Sequence, residues 1–206
     1  VEPTTARERL ILAAERLIAE RGAAVPLRDI ATAAGQRNNS AIQYHFGSRD
    51  DLVAAVVEHR MATLEVRRLE LLAERTADDV HDLLWALVVP MFELSARHGI
   101  DHYARFLERI RAHPSVTDAA NLDDENRASV RIIMRGLERA LPNLPARLRI
   151  RRLRTLPTVL FALLADHERA IEAGRVDPGD TAAWAEVVDM LAGALTAPVS
   201  QHSASR

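Results

Sequence analysis

LRDIATAAGQRNNSAIQYHFGSRDDL, residues Leu27 to Leu52, holds two short apolar-periodic segments hinged at Gly35, then a sharp turn at Gly47 and a fresh helix start at Ser48. Leu27, Ile30, Ala31 and Ala34 give the first segment one apolar face, and Ile42 and Phe46 give the second another. Two such helices must pack on each other and on something before them. This pattern is a helix-turn-helix, the arrangement that lays its second helix in the major groove of DNA. It sits near the start of a 206-residue chain, so most of the chain must do something other than hold DNA.

Outward from this stretch, helix signals follow one another. Thr5 and Glu8 form a T-x-x-E capping box before Leu10, Ala14, Leu17 and Ile18 recur at helical spacing. Gly22 ends that helix, Pro26 opens the next as a first helical residue, and Asn38 and Asn39 are caps for the third, which is expected to run to about His45. Ser48 to Asp51 repeats the capping-box pattern ahead of a long helix reaching the seventies. Thr76 and Asp79 cap a fifth, bent at Pro90 and ended by Gly99. Further helices are expected over Asp101 to Ala112, Leu122 to Leu141, and Leu148 to Ala173 with a kink at Pro157. His113-Pro114-Ser115 reads as a break. Asp180 caps a last helix, and Ser200 to Arg206 reads as a disordered polar tail. The fold class is all-α. The expected domains are 1–47 for DNA binding, 48–199 for effector binding and dimerisation, and the tail 200–206.

Composition narrows the function. Apolar residues make up 48% and aromatics 4%, with Ala, Leu, Arg and Glu dominant, a mixture that favours helix. No run approaches a membrane span, and the N-terminus lacks a basic region followed by an apolar run, so a cytoplasmic location is expected. With no cysteine there is no disulfide, thiolate nucleophile or zinc finger. Every basic residue is arginine, which removes Walker-type loops and lysine chemistry. G-x-S-x-G, G-x-G-x-x-G, H-E-x-x-H and E-x-x-H are all missing. Asp78 with His81 is the nearest approach to a metal pair, and His167 and Glu168, being adjacent, point to different helix faces. An enzyme is therefore not expected, nor a cofactor or metal. Net charge is −2, so DNA affinity must come from a local arrangement.

The pattern ILAAERLIAERG, the segment LRDIATAAG, the ending YHFGSRDDL and the long helix after it resemble the DNA-binding domain of the TetR family of bacterial transcriptional regulators. QRNNSAIQYH, between Gly35 and Phe46, is one residue longer than the commonest family pattern, and Val25-Pro26 replaces a frequent Thr or Ser. The resemblance implies a homodimer joined through the last two long helices, reading a near-palindromic operator, and released from it by a small effector held in the larger domain. It also implies phosphate contacts from Tyr44 and His45.

Candidate DNA contacts are Thr5, Arg28, Arg37, Asn38, Asn39, Ser40, Gln43, Tyr44, His45 and Arg49. Amides pair bidentately with adenine, and Arg37 could take guanine or phosphate. Arg49, in a helix first turn, could meet phosphate with the helix dipole. Asn38 and Asn39 could equally be only caps. Trp85, Met91, Phe92, Tyr103, Phe106, Ile110, Met134 and Phe161 are candidates to line an effector cavity for a largely apolar or acyl-type molecule. The same residues at helical spacing could simply be core. Leu156, Leu160, Leu163 and Leu164, with Val187, Leu191 and Leu195, are expected to form the dimer seam. Nine arginines between Arg127 and Arg154 face only Glu138. They could be solvated, meet a carboxylate or CoA phosphate at a pocket mouth, or pair with the acidic stretch Glu70 to Asp82. An effector-independent regulator, an activator, or a helical carrier with a purely structural helix-turn-helix are the alternative readings.

Overall fold

A computed structural model describes residues 5–36, 40–74, 79–98, 102–118 and 125–199. Among them are ten α-helices: α1 (Ala6–Arg21), α2 (Leu27–Ala33), α3 (Ser40–Phe46), α4 (Arg49–Glu74), α5 (Val80–His98), α6 (Tyr103–Arg109), α7 (Pro114–Thr117), α8 (Ala128–Ala140), α9 (Ala146–Glu172) and α10 (Thr181–Thr196). None is long and apolar enough to cross a membrane. The expected cap at Thr76, the stop at Gly99, the helix start at Leu122 and the tail from Ser200 lie outside the described residues.

Local signals set the first helices. The Thr5 hydroxyl accepts from the Glu8 N–H at 3.1 Å while the Glu8 carboxylate accepts from the Thr5 N–H at 3.0 Å, a complete capping box. Ser48 accepts from the Asp51 N–H at 3.0 Å, but its hydroxyl also donates to the Asp51 carboxylate at 2.6 Å. The shorter aspartate bonds the hydroxyl where a glutamate would reach back to the backbone. Asp180 accepts from Ala182 and Ala183 as expected. Gly35 and Gly47 have φ of 72° and 80°, left-handed values that suit glycine at the two sharp turns around α3.

Four local expectations are corrected. Pro26 is the residue before the first turn of α2, because its ψ of 137° is extended while its carbonyl already accepts from Asp29. α6 is shorter than expected, and the His113–Ser115 break is the start of α7, where His113 caps the Ser115 N–H at 3.2 Å. α8 begins only at Ala128, after a 3-10 turn over Glu125–Arg127. Pro90 and Pro157, the expected bend sites, stand within α5 and α9, as those two expectations require.

α1 to α3 and the start of α4 share Leu10, Ile18, Ile30, Ile42 and Leu52, each at most 1% exposed. That core continues without a gap into the larger part through α4. α5 packs against α4, α8 and α10, whereas α6 lies between α1 and α9.

Long helices also cap short ones. Glu168 of α9 accepts the Ala104 and Arg105 N–H groups at the start of α6, at 2.7 and 3.0 Å. Glu65 of α4 accepts the Ser129 N–H and hydroxyl at the start of α8, at 2.8 and 2.6 Å. These buried carboxylates satisfy N–H donors that no nearby side chain reaches.

Candidate nucleic-acid interface and effector chamber

α3 is held by a single wholly buried side chain, Ile42, with Phe46 half-buried against the core. Its other face looks outward. Ser40 and Gln43 are exposed, and Tyr44 is 85% exposed, the most exposed large apolar side chain among the described residues. His45 is half-buried and meets the Tyr44 ring edge-on at 5.0 Å. Phe46, expected in the core, is covered on one side by the Arg7 guanidinium, 5.2 Å from the ring centre. Arg37, Asn38 and Asn39 lie outside the described residues.

The remaining candidates divide. Thr5 is exposed at the head of α1, and Arg28 is exposed beside Asp29 at 3.4 Å. Arg49 is engaged within the chain, donating to the Ala23 carbonyl at 2.9 Å and the Val25 carbonyl at 2.7 Å. Its guanidinium thereby fixes the α1–α2 loop to the head of α4. Nothing in the local sequence around Arg49 pointed to that loop.

In the larger part, Met91, Phe92, Leu94 and Ser95 of α5, Tyr103 and Ala104 of α6, and Leu164, His167 and Glu168 of α9 line a small space of about 10 Å³. Of the eight expected effector residues, only Met91, Phe92 and Tyr103 meet here. Phe106 stacks behind Tyr103 at 6.2 Å and is wholly buried, and Ile110 is core. Trp85, Met134 and Phe161 are half-buried against the core away from the chamber. His167 and Glu168 were expected on different faces. The 100° between neighbours does not separate them here, because α9 is buried over much of its circumference at this level. A His-Glu pair close after the apolar run Leu160 to Ala165 was the available signal.

Burial holds the His167 imidazole below its ordinary pKa, against a smaller opposing pull from Asp180 and Asp166. Its ring meets Phe92 edge-on at 4.7 Å, and Phe92 stacks on Trp184 at 5.5 Å. Burial raises the Tyr103 phenol, so it stays protonated. The Arg60 guanidinium lies over the Tyr103 ring at 5.5 Å and donates through Nε to Glu15 of α1 at 2.6 Å. A single side chain of α6 therefore lines the chamber and touches the ion pair that joins α4 to α1. Deeper in, Arg68 is fully enclosed, and burial lowers its pKa to about 10.

The arginine-rich stretch has no single role. Arg127 is buried, pairs with Glu58 at 2.6 Å and donates to the Ser115 carbonyl at 3.0 Å. Arg152 donates to the Leu195 carbonyl near the end of α10 at 2.6 Å, and Arg149 to the Leu144 carbonyl at 3.3 Å. Glu70 and Glu74 pair with Arg67 of their own helix. Arg135, Arg139, Arg147, Arg151 and Arg154 are exposed. Among the described residues no group of three or more acidic or histidine side chains is placed to hold a metal ion.

Residues 85–197 match the family described as tetracyclin repressor-like, C-terminal domain, and residues 10–56 match bacterial regulatory proteins of the tetR family. The chain belongs to the TetR family of bacterial transcriptional regulators. It is thus a DNA-binding regulator of a non-enzymatic family. No curated protein matches it by sequence. Among solved structures, it is similar to a TetR family regulator from Marinobacter aquaeolei VT8, at 18% identity over 92% of this chain and 94% of that one, TM-score 0.61. FadR from Bacillus subtilis, in complex with stearoyl-CoA, is 16% identical over 93% and 98%, TM-score 0.55. NalD, a secondary repressor of the MexAB-OprM efflux pump in Pseudomonas aeruginosa, is 21% identical over 94% and 97%, TM-score 0.51. At these identities the likeness is one of fold.

Proposed function

We propose that this TetR-family chain is a homodimeric repressor that reads a near-palindromic operator through α3 and leaves it when an apolar or acyl-type effector opens the chamber. The outward display of Gln43 and Tyr44 on a helix anchored by Ile42 carries the DNA half of this reading. An amide at Gln43 suits adenine, a pairing worth about 1–3 kcal/mol of discrimination, while Tyr44 and His45 suit phosphate. Thr5, Arg28 and Ser40 are exposed and belong to the same proposed surface; Arg37, Asn38 and Asn39 are proposed as DNA contacts on their residue types. Arg49 acts there by holding the loop. Residues 1–47 serve as the reading head and 48–199 as the sensing and pairing part.

The sensing half rests on Tyr103. An effector large enough to enter must part α5, α6 and α9, since the space between them holds about one water. Displacing Tyr103 disturbs the Arg60–Glu15 pair and the packing of α6 on α1. The two reading heads then change their spacing, and a ligand that favours that state weakens DNA binding. FadR with stearoyl-CoA makes an acyl-CoA the first effector to try. The small size of the chamber favours the second reading, a regulator that needs no effector.

The test is binding to the DNA upstream of the chain's own gene at two salt concentrations, with wild type and with Gln43→Ala combined with Tyr44→Ala. Wild type binds with a steep salt dependence and the double variant binds at least ten-fold more weakly. Equal affinity of the two proteins sinks the assignment of α3. A shift of the wild-type complex by acyl-CoA separates the two readings of the chamber.

A further inference from the structure

Arg68 of α4 is 2% exposed, yet among the described residues no carboxylate pairs with it. Its Nε donates to the Leu87 carbonyl at 3.3 Å, and an Nη meets the Met61 sulfur, a weak acceptor, at 3.7 Å. Carboxylates on its own helix and on α1 are engaged elsewhere: Glu15 with Arg60, Glu58 with Arg127, and Glu65 with the N–H and hydroxyl of Ser129. A guanidinium buried without an opposite charge is costly, and these two contacts leave its pKa lowered to about 10.

A second polar group without a partner lies beside it. Tyr103 of α6 is 1% exposed, and its buried hydroxyl has no hydrogen-bond partner in the chain. Burial apart, Arg68 is the side chain that acts most strongly on the Tyr103 hydroxyl, and Tyr103 the one that acts most strongly on Arg68. Both groups offer hydrogens. A guanidinium has five N–H donors and no acceptor, and the phenol, held protonated by burial, has one O–H to give. What satisfies both is an acceptor with negative charge, and the planar fork of arginine matches a carboxylate.

Placement ties this pair to the chamber. Tyr103 lines it, and so does Met91, one turn along α5 from the Leu87 carbonyl that Arg68 binds. Phe92, Leu94 and Leu164 make most of the remaining wall apolar. His167 Nε2 and Trp184 Nε1 are also buried without a partner, but the imidazole is held neutral by burial and the indole carries no charge. The cation within reach of the chamber is therefore Arg68.

We propose that Arg68 and Tyr103 form a receptor for a carboxylate, and that the effector is an apolar monocarboxylic acid whose hydrocarbon part occupies the chamber. The inference rests on the reading of the chamber as the effector site and adds the chemistry of the effector's head group. A carboxylate bound there draws on α6 through Tyr103 and on α4 through Arg68. α4 is the helix that begins at the reading head, where Arg49 fixes the α1–α2 loop. The free acid, rather than its thioester, is then the form that is sensed.

The test compares octanoate with octanol, an anion and a neutral molecule of the same chain, titrated into the full-length protein. Tryptophan fluorescence is the readout, since Trp184 stacks on Phe92 of the chamber wall. Wild type binds octanoate roughly ten-fold more tightly than octanol, as expected for hydrogen bonds to a charged group. Arg68→Met lowers octanoate to the affinity of octanol and leaves octanol unchanged. Tyr103→Phe keeps the buried ring and weakens octanoate alone. Both variants melt no lower than wild type, because each removes a buried polar group that lacks its partner and keeps an apolar body. Equal wild-type affinities for acid and alcohol, or a preference for the acid that survives Arg68→Met, overturn the carboxylate receptor while leaving the chamber as the effector site. Failure of wild type to bind either molecule overturns the chamber reading itself.

Discussion

α3 and α6 are helices of the same length, seven residues each, and they are used in opposite ways. α3 buries Ile42 alone and turns Gln43 and Tyr44 to solvent, whereas α6 buries Tyr103, Ala104, Arg105, Phe106 and Leu107. Neither is long enough to be stable by itself. α3 is held as a display, by one side chain and by two turns with left-handed glycines. α6 is held as a wedge, by α1 on one side and by the capping Glu168 and its neighbour Glu172 on the other, the latter bound to Arg105 at 2.7 Å. A side chain on the display can change with little cost to the fold, while a side chain on the wedge cannot.

The largest effect should separate the two helices directly. Phe106→Ala removes a ring with no exposed surface and should cost about 3–5 kcal/mol in chemical denaturation. Tyr44→Ala should stay within about 0.5 kcal/mol in the same experiment. Comparable losses for the two would erase the distinction between display and wedge.

A smaller loss is expected from Glu168→Ala, which leaves two N–H donors of α6 unpaired. It should destabilise by about 1–3 kcal/mol and raise amide hydrogen exchange at Ala104 and Arg105 before that of α3. Unchanged exchange there would mean that α6 does not depend on its cap.

The smallest effect concerns pH. Burial keeps His167 from protonating in the folded chain, so below the ordinary value of 6.5 the unfolded chain binds more protons. Stability is therefore full above that value and falls as pH drops through it towards the lower folded value, with His59 acting in the same direction. Thermal melts at about pH 7.5 and 5.5 should show the loss, and His167→Gln should reduce it. A variant with an undiminished loss would remove His167 from that account.

The fold of the first helices was legible where its signals are local. Thr5 with Glu8, Gly35, Gly47 and Ser48 each act within a few residues, and the apolar period fixes which face of α3 turns inward. The chamber was only partly legible. Met91, Phe92 and Tyr103 were found by residue type, but His167 and Glu168 were set aside, since adjacency in sequence says nothing about which neighbours will surround a helix. Sequence does not assign the seam between copies, for a related reason. Periodicity shows that a helix has an apolar face, and Leu156 or Leu191 fits one equally well whether the facing helix is its own or a second copy's.

Short-range chemistry, written in caps, glycines and helical period, was enough to establish an all-helical chain with a helix-turn-helix near its start. Only packing could decide that Arg49 binds the carbonyls of Ala23 and Val25, that Glu65 and Glu168 cap helices more than sixty residues away in sequence, and that Tyr103 sits between the chamber and the Arg60–Glu15 pair. These contacts join residues far apart along the chain. Their partners are chosen by which surfaces come together when the apolar faces are buried, and no local pattern encodes that choice.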